Sequence, residues 1–65
     1  MLIFQIYVND SIISVYGDKY IITDYLTIKY GDFVVCTFLL NDVDQVLLYD
    51  PDPDFDKVIY KRGVI

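Results

Sequence analysis

From residue 19 to residue 30 the chain alternates. Tyr20, Ile22, Leu26, Ile28 and Tyr30 hold the even positions, while Lys19, Thr23, Thr27 and Lys29 stand among the odd ones. A period of two sends successive side chains to opposite faces of an extended backbone, so one face is built for a core and the other for water. Asp24 interrupts the apolar face. A carboxylate there marks a bulge or corner where a long strand bends, or an edge position that reaches water.

Turn signals punctuate the rest. Asn9-Asp10, Gly17-Asp18, Gly31-Asp32 and Asn41-Asp42 separate runs rich in Ile, Val, Tyr and Phe. Such pairs supply the positive φ angles or local side-chain hydrogen bonds of tight hairpins, and at this spacing they predict an antiparallel meander. In residues 2–8, Leu2, Phe4, Ile6 and Val8 share one face, with Ile3, Gln5 and Tyr7 on the other. A short strand over 11–16 turns at Gly17, and 19–30 forms a long third strand. Residues 33–40 are apolar on both faces and read as the central strand. Residues 43–49 follow with Val46 and Leu48 inward, and 57–61 place Val58 and Tyr60 on one face. Helical spacing of Val43, Val46, Leu47 and Asp50 behind Asn41 is the one rival, but the run lacks Ala, Glu and Lys. The expected fold is all-β: one domain over 1–65, a five- to six-stranded antiparallel meander forming a rolled sheet or a small SH3- or OB-like barrel. Rolling would remove exposed edges. A weak repeat, Val15-Tyr16-Gly17-Asp18 against Lys29-Tyr30-Gly31-Asp32, is what convergent turn chemistry produces.

A chain of 65 residues buries only about 60% of its unfolded surface. Cys36 is the single cysteine and histidine is absent, so neither an internal disulfide nor a zinc site can add stability. Hydrophobic residues make up 55% of the chain, more than one small core needs. Self-association into a homo-oligomer is therefore expected.

Ten aspartates against five bases leave a net charge of −5. Phosphate contacts need Lys and Arg, so direct binding to nucleic acid or to an anionic membrane is disfavoured. No stretch resembles an export signal or a membrane span, and a lone thiol suits a reducing compartment; the cytoplasm, of a source cell or an infected host, is the expected location.

Catalytic groupings are missing. There is no histidine, Ser11 and Ser14 are the only serines, Cys36 lies in an apolar run without a base, and the glycines form no phosphate loop. The chain is read as a non-enzyme without a cofactor. Its strongest feature is acidic: Asp42, Asp44, Asp50, Asp52, Asp54 and Asp56, with no base among them. One reading is a solvated loop begun by Asp-Pro turns. A calcium loop is the second, but after Asp50, Asp52 and Asp54 the pattern fails at Phe55 and Lys61, and no metal is assigned. The third is an anionic surface facing a basic protein. Residues before proline favour extension, which would space alternate aspartates by about 6 Å, a sparse imitation of a phosphate backbone.

The seven tyrosines fit the third reading, since tyrosine offers contact area with little entropy loss. Tyr25, on the threonine-rich face, is expected at the surface. The assigned partner-binding set is Asp42, Asp44, Asp50, Asp52, Asp54, Asp56, Tyr25 and Tyr49. In size, charge and AT-rich residue usage the chain resembles the small acidic β proteins of phages and mobile elements that inhibit host nucleic-acid-binding enzymes, including restriction and CRISPR complexes. That likeness implies an inhibitor engaging a basic surface. A self-associating assembly subunit and a small-ligand or metal-binding β-barrel are the alternatives.

Overall fold

The computed structural model describes residues 1–63. Its strands are β1 (Leu2–Val8), β2 (Ser11–Gly17), β3 (Lys19–Ile22), β4 (Tyr25–Tyr30), β5 (Phe33–Leu39), β6 (Val43–Asp50) and β7 (Phe55–Lys61). They form two antiparallel sheets, ordered β2-β1-β6-β7 and β3-β4-β5. The all-β antiparallel class expected from the sequence is the one observed. The sheets stay open and do not close into a barrel among the described residues.

One core lies between the sheets. Phe4 and Ile6 of β1, Leu26 and Ile28 of β4, and Val43, Val46 and Leu48 of β6 are buried there. Each such side chain stabilises the fold by about 1.5–3 kcal/mol relative to exposure. All seven come from the interior strands, which have neighbours on both sides. Tyr20 of β3 meets the Phe4 ring edge-on, with centroids 5.8 Å apart, so aromatic contact also ties the second sheet to the first.

Four expectations are corrected. The long strand over 19–30 is a hairpin, because the chain folds back at Thr23-Asp24 and Ile22 pairs with Leu26. There the Thr23 N–H donates to the Tyr25 carbonyl at 2.9 Å. The corner anticipated at Asp24 is thus a complete reversal. The run over 33–40 is an edge strand, since β5 pairs only with β4. Its inward residues Cys36 and Phe38 pack on the core, while Phe33, Val34, Val35 and Leu39 are left exposed. Val58 and Tyr60 pair with Leu47 and Val46 respectively, across a register shift that leaves Ile59 as the extra residue; the two therefore point to opposite faces. Finally, Gly17-Asp18 is not a hairpin turn: β2 and β3 belong to different sheets. Over 41–49 the strand reading holds, with one 3-10 turn at Leu40–Asp42 before β6.

The two-residue loops behave as their sequences suggest. Val8 pairs with Ser11 and Tyr30 with Phe33, and the first loop residue of each, Asn9 at φ 55° and Gly31 at φ 59°, is left-handed. Asn and Gly tolerate that region best.

Gly17 is where the chain passes from one sheet to the other. A Cβ there would stand 2.7 Å from the Lys29 carbonyl oxygen and 2.8 Å from Ile28 Cγ2. The next residue completes the crossing. The Asp18 N–H donates to the Lys29 carbonyl at 2.9 Å, and its carboxylate accepts the Gly31 N–H at 3.1 Å. The two copies of Gly-Asp thus serve different ends, and the first clasps the second.

Gly17→Ala should lower stability by about 1–3 kcal/mol, a fall in Tm on the order of 5–20 °C, because a backbone carbonyl cannot swing aside as a side chain can. Ser14→Ala, exposed on the same strand, should change stability by no more than about 0.5 kcal/mol. Thermal melts of both variants check this; equal melting of Gly17→Ala and wild type would contradict it.

Candidate functional site

Pro51 and Pro53 carry no N–H, so the ladder between β6 and β7 cannot continue through them. The chain reverses over residues 51–54, with Asp50 opposite Phe55 and Tyr49 opposite Asp56. Two side-chain bonds hold the reversal. Asp50 Oδ1 accepts the Asp52 N–H at 3.1 Å, the short-range bond by which Asp begins a turn. Asp54 adopts φ 67°, and its Oδ1 accepts the Tyr49 hydroxyl at 2.7 Å. Hairpin closure thus wins over proline-driven extension. The aspartates are bunched at a tip and not strung out at the ~6 Å spacing that an extended chain would give.

The assigned residues fall in separate places. Asp50, Asp52, Asp54, Asp56 and Tyr49 come together at the tip. Asp42 and Asp44 lie at the far end of β6, and Asp44 is about 20 Å from Asp50 at strand rise. There the Arg62 guanidinium lies 3.3 Å from Asp44 Oδ1 and donates to the Asn41 carbonyl, while the Arg62 N–H donates to the Asp44 carbonyl at 2.9 Å. That pair is half exposed and weakly stabilising, yet it ties Asp44 to the body of the fold. Tyr25 is half exposed, as its position in the alternation expects. It belongs to the other sheet, beside the turn where the Leu40 N–H reaches the Asp24 carbonyl at 3.1 Å.

Register shows what sequence reasoning missed. Tyr16, Ile3, Tyr49 and Asp56 stand side by side across β2, β1, β6 and β7 on the outer face of the four-stranded sheet. Tyr16 is 58% exposed. An aromatic row therefore leads straight to the acidic tip. Period-two alternation does put Ile3 opposite to Phe4, but only strand order places Tyr16 and Tyr49 on either side of it.

Electrostatics at the tip act on Tyr49. Its hydrogen bond to Asp54 raises the phenol above the ordinary tyrosine range, with partial burial and the negative charges of Asp54, Asp56 and Asp50 adding to it. Removing the proton would leave an anion facing carboxylates. Cys36 is raised chiefly by burial, offset in part by a backbone hydrogen bond from Ile28; a thiol held protonated is a poor nucleophile. Among the described residues no three His, Cys, Asp or Glu side chains converge as metal ligands would. The concavity along β7 is open and lined by Val58, Ile59, Tyr60 and Lys61, which bring no acid–base pair together. No helix is long and apolar enough to cross a membrane among the described residues.

Comparison with family models, curated proteins and solved structures finds no match to this chain.

The stabilisation that Tyr49 gains from Asp54 is present below the ordinary phenol value near 10 and is lost as pH rises through the raised one. Followed by NMR, Tyr49 should ionise above that value, and Asp54→Asn, which tolerates the same left-handed backbone, should bring it down. A titration unmoved by the substitution would contradict the bond.

Proposed function

We propose that the protein works by contact and not by turnover: it is a small acidic module that docks a basic protein surface through the β6–β7 tip. The observation that carries this reading is the bunching of Asp50, Asp52, Asp54 and Asp56 at one exposed hairpin. Beside it runs the outer-face row of Tyr49, Ile3 and Tyr16. Arg side chains can pair with carboxylates while lying against tyrosine faces. Among the described residues the one ion pair joins Arg62 to Asp44 at the other end, so the tip acids carry no such partner within the fold.

The partner class is a protein surface rich in Arg and Lys, of the kind nucleic-acid-binding proteins present. Inhibition follows from occupancy: a module seated there excludes phosphate. Because the acids are bunched, the fit is to a local cluster of cations and not to a groove that reads evenly spaced phosphates. A net charge of −5 speeds encounter with such a surface and repels nucleic acid itself. A reducing cytoplasm suits the free thiol of Cys36.

Capture from lysate at low and at moderate salt tests this. A partner held by wild type should be released as salt rises and lost from Asp52→Asn/Asp54→Asn/Asp56→Asn, yet kept by Asp10→Asn/Asp42→Asn at the opposite end. Retention that is flat with salt, or equal loss from both variants, would overturn the reading.

A further inference from the structure

Four strands form sheet edges, and three of them are blunted. β3 is four residues long and begins with Lys19. β7 carries Asp56, Lys57 and Lys61 and follows the two prolines. β2 has no charge, but its C-terminal end is fixed against β4 by the Gly17 approach and the Asp18 N–H. β5, like β2, runs seven residues without a charge or a proline, but it leaves four large apolar side chains exposed where β2 leaves three. Phe33 is 77% exposed, Val34 59%, Val35 46% and Leu39 44%. Such an edge presents unpaired backbone N–H and C=O groups beside apolar side chains, which is a template for another strand.

We infer that β5 is a homodimer interface, on which the β5 edge of a second copy pairs antiparallel to give one six-stranded sheet across the two molecules. This rests on the β5 edge alone and not on the docking reading of the acidic tip. Charge selects the occupant. A neutral strand neither attracts a basic segment nor tolerates an acidic one buried beside it, whereas a second β5 is neutral over the same length. In a chain of net charge −5, it is an edge where two copies meet without opposing acids along the strand; Asp32 and Asp42 stand beyond its two ends. Self-pairing about a two-fold axis also closes, whereas β2 of one copy on β5 of another would propagate into a filament.

On the outward face of the sheet Leu39 lies beside Tyr25, Thr37 beside Thr27 and Val34 beside Lys29. The register shift at Val35 bends the edge near its start, and residues 36–39 continue straight beyond it.

Sedimentation across a wide concentration range, with hydrogen exchange at its two extremes, tests the interface. Wild type should sediment at twice its 7.6 kDa, hold that state as salt rises, and show β5 amides more protected at high concentration. Thr37→Lys and Val34→Lys, at exposed outward positions, should retain wild-type circular dichroism and weaken the dimer about tenfold or more by placing a charge on the neutral edge. A monomer throughout would overturn the inference, as would a dimer indifferent to both substitutions. So would concentration-dependent protection confined to strands other than β5, or a monomer whose β5 edge captures the strand of another protein.

Discussion

Backbone meets backbone where Gly17 lies on the Lys29 carbonyl, 2.7 Å from the place a Cβ would occupy. Two sheets packed through side chains alone would leave room for a methyl group; here the chain leaves one sheet and enters the other without a loop. Asp18 then binds both partners of the crossing, its N–H on Lys29 and its carboxylate on Gly31. The separation of the sheets is set at this point. Leu26 and Ile28 are thereby brought against Phe4, Ile6 and Val46 in one buried cluster, which a fold this small depends on for its stability.

Much of this was legible from side-chain order. Leu2, Phe4, Ile6 and Val8 share a face as alternation requires, and Asn9 and Gly31 take the left-handed angles that their loops need. The strand count was not legible, for a reason of parity. Ile22 pairs with Leu26 around three intervening residues, so even positions face the core on both arms, and alternation alone cannot distinguish a hairpin from one continuous strand. The misplacement of β5 has another cause. Apolar residues on both faces signal a strand buried on both sides, but here the outward set is left at the surface. Composition records that Phe33, Val34 and Leu39 want cover, and is silent on whether the same molecule provides it.

The acidic region shows a similar limit. Six aspartates lie close in sequence, yet the extended β6 carries Asp44 and Asp50 to opposite ends. What sequence proximity joined, strand rise divides. Conversely, Tyr16 and Tyr49 are 33 residues apart in number and become near neighbours through β1. The tip itself was half visible: its prolines excluded an interior strand, but extension and reversal were both open to them. The bonds of Asp50 to Asp52 and of Tyr49 to Asp54 choose reversal, and with it a compact anion in place of a line of charges.

Two surfaces of opposite character thus share one small fold, an acidic tip beside an aromatic row and a neutral strand edge. Attraction at the tip weakens with salt, whereas pairing along β5 does not need charge. The proposal that contact with cations is the protein's work rests on the first of these. Backbone NMR of the labelled protein during addition of an arginine-rich peptide, and separately of a single-stranded oligonucleotide, tests it most directly. The account predicts shifts at Tyr49, residues 50–56 and Tyr16 with the peptide and none with the oligonucleotide. Binding of the oligonucleotide, or peptide shifts confined to the Asp42–Asp44 end, would contradict it.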